Sequence, residues 1–460
     1  MKSFDEQNTI KQNTEKNIYL DNAGATQIDE NVLCAMHGVE SLYANPSGIY
    51  RSGIFAKEKI EESRKIISSI LNCNSSEVFF TGSGTESVNV AILGYIKSYI
   101  SENKNENKSD SFVIPKVITT NIEHSAVLES LNHLYDMGII EIIYLKVDES
   151  GRVNENDVRE ILKETGPENK NNIIMVSVMY ANNETGRVQP IKEIGRIINE
   201  YNINIIRAAR GARGKAEPEI VFHLDAMQAG NYFDIDVKKL RCHMFSVNAS
   251  KIYGPKGVGV LYKSKKVNLS AISFGGGQEK GIRSGTEDVT KIVGMAKAMQ
   301  IAKEKRDTEI VRLLGLQNYF LENIKLSIPE VKIYTEKNNV NRVVDMHGGE
   351  AAATKTKSQS KIKINYFNLD SIPNNLNIGL PGMLSDEMVI RLDYSGFDVS
   401  HKSACASNEV GEGSYVLRAM GSTEKESNEN IRITMGRDTK LENLQKLILE
   451  IKNIYLKYKS

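Results

Sequence analysis

The sequence predicts an α/β fold, a mostly parallel sheet covered by helices on both faces. Three observations predict it. Short apolar runs rich in Val, Ile and aromatic residues recur through the first two thirds of the chain. Segments with helical spacing of apolar residues separate several of them. Glycines or small polar residues close several of the runs, where an α/β sheet binds its ligands.

In order, residues 56–72 (AKEKIEESRKIISSILN) carry a helical apolar face, and 77–84 (EVFFTGSG) reads as a strand ending in glycines. Residues 86–100 form a second amphipathic helix. Strands follow at KVITT (116–120), EIIYLKV (141–147), NIIMVSVMY (172–180), VFHLDA (221–226), HMFSVNA (243–249) and GVGVLYK (257–263). PIKEIGRIINEYN (190–202) is a helix between two of them. Three stretches read as insertions or surface loops: 101–111, the basic segment 207–219, and 347–361. Beyond residue 305 a long helical run (302–326) leads into a region with fewer buried-strand signals. The expected division is a large unit, 17–305, and a smaller one, 306–460, with the N-terminal segment 1–30 packed on the latter.

Composition bounds the function. Of 460 residues, 40% are hydrophobic and 25% charged, which excludes disorder and predicts a sizeable core. The net charge of +1 gives no reason to expect nucleic acid or an anionic membrane as partner. No apolar run approaches the ~20 residues that span a bilayer. The polar, mixed-charge N-terminus is neither a signal nor a transit peptide, so the expected compartment is the cytoplasm. The four cysteines, Cys34, Cys73, Cys242 and Cys405, fit no metal spacing, and no metal site is expected.

Five motifs carry chemistry. Thr81–Ser87 (TGSGTES) follows a strand and opens a helix, so Gly84 and Thr85 offer amides and a hydroxyl to a phosphate, or form a capped glycine turn. His223–Gln228 (HLDAMQ) ends a strand; Asp225 can hold a protonated ring nitrogen and Gln228 a ring hydroxyl, although Asp225 can equally cap the next helix. Lys251, between a strand and a Gly-Pro-Lys-Gly turn, is a candidate Schiff-base lysine, or a solvated turn residue. Together the three supply what pyridoxal 5'-phosphate needs: a phosphate cradle, an acid and an amine. Cys405 lies among small polar residues beside His401 and Lys402, which favour a thiolate if near it. Arg432, on a short strand, suits a substrate carboxylate or a surface ion pair.

With these motifs the chain resembles the cysteine desulfurases of the NifS/IscS group, fold-type I pyridoxal phosphate enzymes of aminotransferase class V. The matching stretches include YLDNAGAT, TGSGTES, EHSAVL, NNETGRVQPI, HLDAMQAG, SKIYGPKGVG, GGGQEKGIRSGTED, SACAS and IRITMGR. The resemblance implies a seven-stranded sheet in the large unit. It makes Lys251 the cofactor lysine, Asp225 the pyridinium partner, and Gln228 and Asn183 the ring-hydroxyl ligands, with Asn183 also near substrate. His124 becomes the ring-stacking histidine that moves protons, and Arg432 the carboxylate ligand. Thr286 becomes a phosphate ligand given to a partner subunit, which implies a homodimer. Cys405 becomes the persulfide cysteine, with L-cysteine as substrate and an iron–sulfur scaffold or tRNA-thiolation enzyme as sulfur acceptor. The chain departs from the family pattern at several positions. Asn248 and Ser250 replace the usual phosphate ligands, which implies weaker cofactor affinity. Tyr50 and His243 replace a His and an Asp, His401 and Lys402 are additions, and Gly24 stands where Ala is usual. Another class V transaminase or lyase, and a scaffold that has lost its cofactor, remain as alternatives.

Overall fold

The computed structural model describes residues 17–106, 113–164, 172–212, 219–338, 344–345, 363–401 and 413–460. After a short strand β1 (Ile18–Tyr19) come the strands of the main sheet. These are β2 (Val78–Thr81), β3 (Lys116–Thr120), β4 (Glu141–Leu145), β5 (Ile173–Met179), β6 (Val221–Asp225), β7 (Met244–Asn248) and β8 (Gly259–Lys263). They form a seven-stranded sheet in the order β2-β8-β7-β6-β5-β3-β4. Only β8 runs against its neighbours, so the sheet is the mostly parallel one expected.

Helices on both faces explain the strand composition. Every residue of β5 and β6 is buried, so these strands read as continuous rather than alternating apolar runs. β4, an edge strand, is half exposed. The crossovers include helices Gly84–Glu106, Ser125–Asp136, Glu155–Glu164 and Ile191–Ala212. With β8 reversed, the C-terminal ends of β2, β3, β5, β6 and β7 share one edge, and the chain leaves that edge at Thr81–Ser87, at His223–Gln228 and at the turn that carries Lys251.

A 39-residue helix, Val289–Ser327, packs on the helices Arg51–Leu71 and Leu441–Lys459 and passes without a break through residue 305. Beyond it lie β9 (Lys332–Ile333), β10 (Val344–Asp345), β11 (Lys363–Ile364), β12 (Asn375–Gly379), β13 (Phe397–Asp398) and β14 (Asn430–Thr434). β14, β12 and β9 make a small antiparallel sheet, and β10 pairs with β11. The N-terminal β1 pairs in parallel with β13, and Asn17 Nδ2 donates to Asp398 Oδ1 at 2.9 Å.

Two of the expected loops begin as helix. Residues 101–106 continue the helix Gly84–Glu106, and 207–212 continue Ile191–Ala212. Neither stretch holds a proline, and Glu and Lys in the first and Arg and Ala in the second are good helix formers, so polarity alone does not end the turn. Residues 107–112, 213–218 and 347–361 lie outside the described residues. Among the described residues no helix is long and apolar enough to cross a membrane.

Candidate active site

The strand ends converge on a cavity of about 150 Å³. Its lining includes nine of the predicted residues: Gly84, Thr85, His124, Asn183, Asp225, Gln228, Asn248, Lys251 and Arg432. Ala23, Gly24, Met179 and Met227 are among those that complete it.

Lys251 ends a short 3-10 turn after β7, capped by Asn248, whose Oδ1 accepts from Ser250 N at 3.2 Å. The Lys251 ammonium donates to the Ala23 carbonyl at 2.8 Å and to the Gly24 carbonyl. Two main-chain oxygens therefore hold the amine at the cavity wall. Gln228 Nε2 donates to the same Ala23 oxygen at 3.3 Å.

Asp225 ends β6, is 5% exposed, and accepts from Met227 N at 3.0 Å. Burial pushes its pKa up, while His124, the Met227 amide and Lys251 pull it back. A buried carboxylate in that balance favours a cationic ring nitrogen beside it. His124 caps the helix Ser125–Asp136, and its Nδ1 accepts from Ala126 N at 3.1 Å. That bond places the proton of the neutral imidazole on Nε2.

Glu123, next to His124, is fully buried. Its Oε1 accepts from Thr120 Oγ1 at 2.7 Å and Met179 N at 2.9 Å. Desolvation pushes its pKa to about 8, with Asp225 adding to the rise, so at neutral pH it is a carboxylic acid. Sequence reasoning passed over Glu123 although it opens the EHSAVL stretch.

At the glycine loop, a Cβ on Gly84 would stand 2.7 Å from Met227 Sδ and 3.2 Å from Asn248 Cβ, so a side chain there requires Met227 to move. Glu86 N donates to Ser83 Oγ at 3.0 Å, and the Glu86 carboxylate accepts from Gly82 N and from Arg283 Nε, the latter at 3.0 Å. Ser250 is buried but does not border the cavity, and its carbonyl accepts from Thr26 N at 2.8 Å. Thr286 is exposed and also lies outside this cavity's lining. Its loop is held by the Arg283–Glu86 pair and by Glu279, which takes a bidentate contact from buried Arg64 at 2.7 and 2.8 Å.

Arg432, on β14, is 1% exposed. Its Nη2 donates to Asp21 Oδ1 at 2.8 Å and its Nη1 to the Asn183 carbonyl at 2.9 Å. Arg432 Nε and Asn183 Oδ1 are buried with no hydrogen-bond partner among the described residues. Such orphaned groups are costly unless something else meets them. A carboxylate suits the first and a ring hydroxyl the second. With an amine, a buried acid and a glycine cradle in the same cavity, the residues fit pyridoxal phosphate and an amino-acid substrate.

Cys405 and Lys402 lie outside the described residues. His401 Nε2 stands 3.1 Å from Asp386 Oδ1. Of the other cysteines, Cys242 is buried and Cys73 partly so; burial pushes both thiols up, Cys73 to about 12. His243 accepts from Phe222 N at 3.0 Å, and burial lowers its pKa to about 4. Among the described residues no group of three or more His, Cys, Asp or Glu side chains is arranged to hold a metal ion.

Residues 18–365 match the family described as aminotransferase class-V. The chain is 32% identical over 430 residues to the cysteine desulfurase IscS of Dictyoglomus turgidum, covering 93% of this chain and 92% of that one. It is 31% identical over 434 residues to cysteine desulfurase IscS 1 of Archaeoglobus fulgidus, covering 94% of each. A solved NifS-like protein superposes with a TM-score of 0.75 at 27% identity, over 95% of this chain and 99% of that chain. The NifS-like protein from Rickettsia africae gives 0.73 at 25%, with the same coverage. The chain belongs to the class-V aminotransferase family, as one of its pyridoxal phosphate-dependent cysteine desulfurases.

Proposed function

We propose that this chain converts L-cysteine to L-alanine and holds the extracted sulfur as a persulfide on Cys405, for transfer to an acceptor protein of iron–sulfur assembly or tRNA thiolation. The observation that carries the reading is the meeting of Lys251, Asp225, His124, Asn183 and Arg432 at one cavity. Pyridoxal phosphate, when bound, supplies an electron sink for the substrate's Cα–H bond.

The chain's own residues do the rest. Lys251 would hold the cofactor through its aldehyde, and its amine is the base placed to move the substrate's Cα proton. Asp225 keeps the ring nitrogen protonated, Asn183 and Gln228 receive the ring hydroxyl, and His124 moves a proton through Nε2. Gly84, Thr85 and the Asn248 amide hold the phosphate, with Ser250 as the turn that sets Asn248. Arg432 receives the substrate carboxylate. The Cys405 thiolate attacks the substrate sulfur, so that a sulfur–sulfur bond forms as the Cβ–S bond breaks. The electron pair stays with the alanine fragment, which takes up a proton.

A second copy of the chain completes the site. Thr286 is exposed, and Tyr43 and Ile49 stand 97% and 94% exposed near the exposed Tyr50, Ile54 and Phe55. Apolar side chains so displayed support a homodimer in which Thr286 reaches the partner's phosphate. In this reading residues 17–305 carry the cofactor, 306–460 carry the thiol, and the enzyme works in the cytoplasm.

The test is L-alanine and sulfide formation from L-cysteine and a reducing thiol, by cofactor-loaded wild type and Cys405→Ala. Production by wild type and its loss in the variant is the expected result. Undiminished production by the variant would take the persulfide away from Cys405.

A further inference from the structure

We propose that Asp21 is the positioning residue for Arg432, and that glycine at position 24 is what allows it. The proposal rests on the reading of Arg432 as the substrate-carboxylate ligand.

A guanidinium as buried as that of Arg432 needs a counter-charge. Asp21 supplies it through Oδ1 at 2.8 Å, and the Asn183 carbonyl fixes a second corner at 2.9 Å. Two fixed points on a planar group set its orientation. They leave the guanidinium's remaining N–H donors, on a residue that lines the cavity, for an incoming carboxylate. The same Asp21 oxygen accepts from Ser400 Oγ at 3.0 Å, and Ser400 pairs with Arg432 through the main chain in both directions. Asp21 is therefore held from two sides and cannot turn without releasing one of them.

Gly24 lies in the same turn, where its N donates to the Asp21 carbonyl at 3.0 Å. A Cβ on Gly24 would stand 2.4 Å from Asp21 Oδ2 and 3.0 Å from its Cγ. Gly24 is not among the glycines with positive φ, so its backbone does not demand glycine. The room beside the Asp21 carboxylate does. A methyl group here pushes that carboxylate off Arg432.

The experiment is a double-mutant cycle on the loaded enzyme. KM and kcat for L-cysteine are measured for wild type, Asp21→Ala, Gly24→Ala and the double variant, with cofactor absorbance as loading control. Titration of that absorbance with L-alanine gives an affinity free of turnover. Asp21→Ala and Gly24→Ala should each raise KM and weaken L-alanine about tenfold, the size of a lost hydrogen bond to a charge. Both should change KM and L-alanine affinity by a larger factor than kcat. The double variant should be no worse than Asp21→Ala, because the atoms that the new methyl strikes are gone. Asp21→Asn, which keeps an acceptor oxygen, should fall between wild type and Asp21→Ala.

Additive effects, or a KM unchanged or lowered in Asp21→Ala, would overturn the proposal. If wild type turns over L-cysteine while Asp21→Ala keeps its KM, Asp21 loses the role and the reaction stands. If wild type is inactive but L-alanine affinity follows the predicted pattern, the reaction falls and Asp21 keeps the role.

Discussion

Glu123→Gln should make the enzyme progressively more stable than wild type as pH rises. The structure holds Glu123 fully buried, with Oε1 receiving Thr120 Oγ1 and Met179 N, and with Oε2 lacking a partner among the described residues. Glutamine has the same shape, and its carbonyl can accept both bonds. The folded pKa is raised to about 8 from an ordinary 4.5. Between those values the unfolded chain has released this proton and the folded chain retains it. The unfolded state therefore binds fewer protons, and wild-type stability falls as pH rises through that window. One proton gives a slope of about 1.4 kcal/mol per pH unit, so from pH 5 to 8 wild type loses about 4 kcal/mol that the glutamine variant keeps. Urea midpoints for both loaded proteins across that range measure the difference. A gap that grows with pH and levels off near pH 8 is the expected outcome. A constant gap would mean that Glu123 is ionised in the fold, and would refute its reading as a buried carboxylic acid.

Other perturbations have equally definite outcomes. Lys251→Ala should abolish covalent retention of the cofactor and lower alanine formation at least about a thousandfold, measured by absorbance after dialysis and by product assay. Asn248→Asp places a carboxylate where the phosphate needs a donor, and should raise the cofactor dissociation constant about tenfold or more, read from equilibrium dialysis. Arg64→Ala strands the buried Glu279 carboxylate, now bonded at 2.7 and 2.8 Å, and should cost about 3–5 kcal/mol in denaturant unfolding.

The sheet was legible because each central strand is a short apolar run buried on both faces, and because glycines and small polar residues end several of them. Helix ends were less legible. Residues 101–106 and 207–212 look like loop by polarity, yet nothing in them stops a helix already under way. In the site, Lys251, Asp225 and Gly84 are readable from their place at strand ends. Asn183 and His124 entered only through family resemblance, since an asparagine after a strand and a histidine before a helix have many other uses. Asp21 and Glu123 were not legible. Asp21 meets Arg432 from 411 positions away, and Glu123 owes its protonation to burial, which the bonds from Thr120 and Met179 oppose. The Gly24 departure is visible in the sequence, but the closeness of the Asp21 carboxylate to it is not.

The most direct test of the central claim is peptide mapping of the loaded enzyme after brief exposure to L-cysteine without added reductant. The account predicts a gain of one sulfur atom on the peptide that contains Cys405, reversed by a thiol and matched by one L-alanine per site. L-alanine formed with the added sulfur on Cys34, Cys73 or Cys242, or on none, would contradict it.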